Sequence, residues 1–246
     1  MKKTALAALF AATSFSVSSH ADVIGGTIEA SYWYAGYSGQ FISGSEQLDL
    51  EDNLNLGDEG FTEVAASFEH PVPVLPNIRV RHINLDSSAP DGNASNINFD
   101  GLNFDGSLST KLDLSHNDYI LYYEILDNWV TIDVGIDVKQ FDGELEVSEN
   151  SGFDVSRTEI DEVVPMLYGA ASFEMPFTGM SAGAELSLIS ISGDSLHDAK
   201  LRLRQNIGLA FAEIGYRQIA IDIEDVSDID IDADISGAYI SLGLDF

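Results

Sequence analysis

The 246-residue chain contains no cysteine, which excludes a disulfide framework and any thiolate metal site. Bases are scarce. Eleven Lys and Arg stand against 41 Asp and Glu, a formal net charge of −30 that argues against nucleic acid or an anionic surface as partner. After the first 21 residues no run approaches 18 apolar residues, so the remaining chain offers no transmembrane helix. Only six prolines occur, and no Pro/Gly/Ser-rich linker divides the sequence, which suits one domain. HExxH is absent, and the string Gly179-Met180-Ser181-Ala182-Gly183, though it spells GxSxG, leads from a turn into an alternating strand and so forms no strand-to-helix nucleophile elbow.

What the chain does have is period-two alternation. Near its end Ala238, Ile240, Leu242, Leu244 and Phe246 share one face, while Tyr239, Ser241, Gly243 and Asp245 share the other. An edge strand so apolar is a liability in an open sheet, whereas a closed barrel pairs its last strand with its first and has no edge. Residues 1–21 read as a cleavable secretory signal. Lys2 and Lys3 supply the positive region, 4–17 the apolar region, and Ser19-His20-Ala21 an A-x-A-like cleavage site. Residues 22–246 then form the barrel.

The expected fold is all-β, an antiparallel up-and-down transmembrane barrel of about ten strands. Eight or twelve are the alternatives, since 193–222 divides in more than one way. Leu108, Thr110, Leu112 and Leu114 are expected on the outer face of a strand over 107–126, with a bulge near Ser115-His116-Asn117 where the phase slips. Short connections at 71–77, 127–128, 175–179 and 206–208 alternate with long acidic or polar loops, including 142–159 and 221–234. That asymmetry belongs to outer-membrane barrels, with short periplasmic turns and acidic extracellular loops. Tyr32, Tyr34 and Tyr37 suit one aromatic girdle and Trp129 and Phe246 the other, with Trp33 phased to the lumen.

The bases fall on faces opposite aliphatic residues: Arg79 with Arg81, then Lys200, Arg202 and Arg204, and also Lys111, Lys139 and Arg217. Glu29, Glu63, Asp113, Asp133, Asp137, Glu185, Glu213 and Asp245 share those faces. A Lys or Arg at the lipid midplane costs about 2–4 kcal/mol, so these charges point inward and pair across a narrow or plugged lumen. His70, His82, His116 and His197 lie apart, in no metal-binding spacing. Ser115-His116-Asn117-Asp118 looks like a hydrolase fragment, but adjacent strand residues face opposite ways, so no catalytic residue is assigned. Asp228, Asp230, Asp232 and Asp234 form a row about 7 Å apart. It is a solvated acidic face, or at most a weak, loosely held Ca²⁺ or Mg²⁺ site. No other cofactor is expected.

Further residues carry a resemblance: Asp49-Leu50-Glu51-Asp52-Asn53-Leu54-Asn55-Leu56, Leu121-Tyr122-Tyr123-Glu124, Phe141-Asp142-Gly143-Glu144, Gly215-Tyr216-Arg217 and the terminal Phe246. In these the chain resembles a family of proteobacterial outer-membrane β-barrel proteins of unassigned function. The resemblance implies export to a Gram-negative outer membrane and contact with its lipids and lipopolysaccharide. It also implies an assembly strand (Tyr239, Ile240, Leu242, Leu244, Phe246) presented to the barrel-assembly machinery. It brings no catalytic residues. The expected function is therefore non-enzymatic, in envelope structure or surface interaction. The alternatives are a small channel for polar or cationic solutes, or a lipid- or peptide-modifying enzyme.

Overall fold

The computed structural model describes residues 24–246 except 73, 100, 151–154, 192, 227 and 228, and among them it contains fifteen strands and no helix. The signal-peptide expectation falls on residues outside those described. Ten strands close into an antiparallel barrel. Numbered in chain order, they are β1 (Gly25–Ser43), β3 (Glu59–Glu69), β4 (Asn77–Asn84), β7 (His116–Asp127), β8 (Val130–Phe141), β11 (Val163–Met175), β12 (Met180–Ile191), β13 (Asp194–Ile207), β14 (Ala210–Val226) and β15 (Ile229–Asp245). Each pairs with the next, and β15 returns to β1 in an unbroken register from Thr27↔Asp245 to Ile42↔Asp230. Closure leaves the barrel no edge, as the terminal alternation requires.

The remaining strands gather at one end. β2 (Glu46–Asp49) lengthens the sheet beside β1, while β5 (Asp86–Phe99), β6 (Leu102–Asp113), β9 (Gly143–Glu149) and β10 (Val155–Ile160) form a second sheet in the order β10-β9-β6-β5. This is the cap end. The opposite, turn end carries the connections at 70–76, 128–129, 176–179 and 208–209.

Long strands let one β-ladder pass through two solvents, and β15 shows how. Its outward side chains run Asp230, Asp232, Asp234, Ser236, Ala238, Ile240, Leu242, Leu244; its inward ones run Ile229, Ile231, Ala233, Ile235, Gly237, Tyr239, Ser241. The strand never changes phase, yet both faces change polarity midway. β14 does the same, from outward Asp222 and inward Ile221 and Ile219 to outward Tyr216 and Ile214 and inward Arg217 and Glu213. Towards the cap the wall is built like a water-soluble protein, with acid outside and aliphatic residues inside. Towards the turns it is inverted. The outward apolar stretch 238–246 is nine residues. At about 3.3 Å per residue and a tilt of about 40° it rises roughly 23 Å, close to the ~25 Å apolar band of a membrane barrel.

The apolar residues inside the cap half form one core. Trp33, Phe41 and Phe61 pack with Leu50, Leu54 and Leu56 from the acidic 49–56 segment, with Phe99, Phe104, Leu108 and Leu112 from the second sheet, and with Ile231 and Ile235. In 49–56 the Asp49 carboxylate accepts the backbone N–H groups of Glu51 and Asp52, which folds the segment so that its leucines point down while its acids face water.

Several sequence expectations are corrected here. The phase slip at 115–117 is no bulge. Leu114–Ser115 is where the chain leaves the second sheet (β6) and enters the barrel (β7), so the two alternations belong to different sheets. Leu108, Thr110, Leu112 and Leu114 are consequently buried in the cap rather than facing lipid. Lys111 and Asp113, expected in the lumen, sit on the opposite, solvent side of that sheet. The polar loop expected at 142–159 is largely strands β9 and β10, and the polar stretch with Asp91, Asn93 and Asn96 lies in strand β5. Tyr37 is no girdle residue: it is buried, and its hydroxyl is bonded to Ser87 Oγ at 2.9 Å.

Candidate functional site: a charge chain across the barrel

Below the apolar core the inward side chains are charged, and they meet. Arg79 Nη1 donates to Glu185 Oε2 at 2.8 Å, and Arg81 Nη1 donates to Glu185 Oε1 at 2.8 Å. Arg81 Nε donates to Asp118 Oδ2 at 2.8 Å, and Lys139 Nζ bridges Asp118 (2.7 Å) to Asp198 (3.1 Å). Arg217 grips Asp198 through Nε (2.9 Å) and Nη2 (2.5 Å), and its Nη1 donates to Glu63 at 2.6 Å. Lys200 Nζ closes the series on Glu63 at 2.6 Å. Signs alternate without a break from Arg79 to Lys200. Nearly all of these groups are buried.

A second, lower group follows. Arg204 Nε donates to Glu213 at 2.9 Å and lies 3.6 Å from Glu29. Tyr239 donates its hydroxyl to Glu213 at 2.7 Å, and Tyr168 donates to Glu185 at 3.3 Å. Gly215 makes room for Tyr239, since a Cβ there would fall 2.5 Å from the ring. Counting β1 through Glu29, β11 through Tyr168 and β15 through Tyr239, every barrel strand contributes a group to this bracing. The bases and acids in these ion pairs number six each: Arg79, Arg81, Lys139, Lys200, Arg204 and Arg217 against Glu29, Glu63, Asp118, Glu185, Asp198 and Glu213. The set sums to zero, so the whole −30 lies elsewhere in the chain. Beside it remains a cavity of about 10 Å³, lined by Glu29, Lys200, Arg202 and Tyr239 among others, which is room for about one water.

Of the other residues expected in the lumen, Asp133, Asp137 and Arg202 also face inward; Asp137 is fully buried and accepts from Ser187 at 2.7 Å. Asp118 and Asp198 escaped assignment. Asp198 carried a usable signal, since it continues the inward series of Lys200, Arg202 and Arg204. Asp118 was hidden by the change of sheet at 114–115.

His116, Asp118 and Asp198 offer ligand atoms within 4.8 Å of one another. The Lys139 ammonium already bridges the two carboxylates, so a cation occupies the centre as a side chain. His116 Nδ1–H donates to Leu114 O at 2.8 Å and its ring packs 4.9 Å from Phe141, beneath the cap core. Ser115 Oγ instead accepts the backbone N–H of Leu85. The pair is not arranged as nucleophile and base.

The 221–234 segment, expected as a loop, is mostly strand, and its acidic row lies on an exposed strand face. Asp230, Asp232 and Asp234 point outward from β15, with Asp232 directly opposite Asp222; Asp228 lies outside the described residues. A second row crosses the cap sheet, where Asp86↔Asp113, Asp113↔Glu144 and Glu144↔Glu159 are successive cross-strand partners. Like charges directly opposite repel. Next to this row Lys111 and Arg157 flank Glu146, and the hydrogen bond from Arg157 holds the Glu146 carboxyl below its ordinary range.

No family model and no curated protein matches the sequence. Solved structures do. The outer-membrane protease OmpT of Escherichia coli superposes with a TM-score of 0.55 at 10% identity, covering 92% of this chain and 97% of that one. Ail, the attachment invasion locus protein of Yersinia pestis, gives 0.43 at 7% identity (92% and 100% covered). A FadL homologue from Pseudomonas aeruginosa gives 0.35 at 8% (92% and 90%). At these identities the likeness is one of fold, and the chain has the fold of a Gram-negative outer-membrane β-barrel.

Proposed function

We propose that this protein is a non-enzymatic integral outer-membrane barrel, sealed to solutes, that holds an acidic cap outside the cell for envelope structure or surface interaction. The observation that carries the reading is the unbroken Arg79–Lys200 charge chain with an apolar core stacked above it. A permeating ion would have to part several buried ion pairs and then cross packed Phe and Leu side chains. Exchanging bulk water for that path is costly at both layers. The OmpT neighbour is a protease, but here His116 lies under the cap core, while His82 faces outward and is bonded to Asn117 at 2.9 Å. Neither meets a nucleophile open to water.

The wall's change of polarity supports the orientation, with turns in the periplasm and cap outside. There the acidic rows attract Ca²⁺ or Mg²⁺ as loose counter-ions, and basic partners. The test is single-channel recording of the refolded protein in a planar bilayer, with heat-dependent gel mobility as the folding check. A folded, silent barrel is expected. Steady cation-selective openings would replace this reading with the small channel.

A further inference from the structure

Seven residues, 70–76, join β3 to β4, the longest connection at the turn end; the others have two to four. From Pro71 to Ile78 there is no charged residue, in a chain of net charge −30. Val72, Val74 and Leu75 are 45%, 78% and 55% exposed, so this turn offers water three aliphatic side chains. It is also pre-formed. Val72 N–H donates to His70 Nδ1 and Leu75 N–H to Val72 O, both at 3.2 Å, and His70 Nε2 donates to Pro76 O at 3.2 Å.

Its direction is set by Tyr123. That side chain points outward from β7, between the outward Leu121 and Ile125, and its hydroxyl donates to Val74 O at 3.2 Å. The turn therefore leans over the outer wall of the barrel, not over the mouth of the lumen. We propose that Val72, Val74 and Leu75 form a membrane anchor, seated in the lipid leaflet at the turn end with their side chains among the acyl chains. The seat continues the wall's apolar band, which the lipid already covers. Because the internal hydrogen bonds fix the turn beforehand, insertion has little conformational entropy to overcome. The proposal rests on the integral-membrane reading above.

Because the chain has no cysteine, single labels are clean. Val74→Cys and Leu75→Cys, with Asp91→Cys on the cap as aqueous control, are refolded into phosphatidylcholine vesicles and tagged with an environment-sensitive fluorophore. Labels at 74 and 75 are expected to emit further to the blue than at 91. They should be quenched by lipids brominated on their acyl chains and shielded from aqueous iodide. Adding Tyr123→Phe should loosen the turn and weaken the quenching by brominated lipid. An inserted barrel whose 74 and 75 labels behave like the label at 91 refutes the anchor alone, and would turn attention to a periplasmic protein as the occupant. A chain that folds without entering the vesicles refutes the integral-membrane reading, and the anchor with it.

Discussion

Asp198→Asn isolates one charge at the centre of the bracing. The change keeps the side-chain shape and one acceptor oxygen but removes the negative charge shared by Arg217 and Lys139, both almost wholly buried. Arg217 loses one arm of its two-point grip, and only Glu63 and Asp118 remain as carboxylate contacts for the two cations. A charge-assisted hydrogen bond contributes about 1.5–3 kcal/mol, and breaking a buried ion pair from one side costs about 3–5 kcal/mol because a charge is left uncompensated. The two lost contacts share a partner and are not additive, so the expected loss is about 3–5 kcal/mol. Equilibrium urea unfolding in lipid vesicles reads it, with Trp33 as reporter, since the Arg217 guanidinium lies 5.1 Å from its ring. A loss under about 1 kcal/mol, the range of solvent-exposed pairs, would mean that water reaches the network and that the lumen is not sealed there.

Other outcomes follow from the same geometry. Ile240→Arg, on the lipid-facing part of β15, should cost about 2–4 kcal/mol in vesicle unfolding, whereas Asp232→Arg should be neutral or stabilising because it relieves the facing Asp222. Leu54→Ala removes a fully buried cap side chain and should cost about 2–5 kcal/mol, seen as faster proteolysis of the cap in the folded barrel. Tyr239→Phe strands Glu213 without its phenol donor and should cost about 1–3 kcal/mol by the same unfolding assay. Arg157→Gln should raise the Glu146 titration midpoint, followed by carbon NMR of the glutamate carboxyls, towards its ordinary 4.5. In the native cap that carboxyl is depressed, so its contribution to stability is present above the unfolded pKa and disappears as pH falls through the folded value.

Much of the wall was legible in the residues. Strand alternation over 130–138 and 238–246, the short connections and the sharing of faces by Arg79 with Arg81 are local features, and they survive folding unchanged. The cap was not legible. Strands β5, β6, β9 and β10 carry Asn, Asp, Ser and Gly in numbers that suit loops, yet they pair because Ala94, Phe104, Leu108 and Val147 find a common apolar partner in the 49–56 leucines. That partner is remote in sequence, and no window of alternation contains it.

The sequence by itself determined that the chain is a barrel with polar and apolar faces, because period two fixes which side chains share a face. It could not say which face meets lipid along the whole strand. β15 keeps a single phase while its surroundings exchange, and only the closed structure, by stacking the apolar cap core above the charge chain, decides where inside becomes charged and outside becomes greasy. Ion pairing has the same origin. Asp198 and Arg217 lie 19 positions apart and Glu63 and Arg217 lie 154 apart, so their meeting depends on shear and closure of the whole sheet rather than on any local pattern.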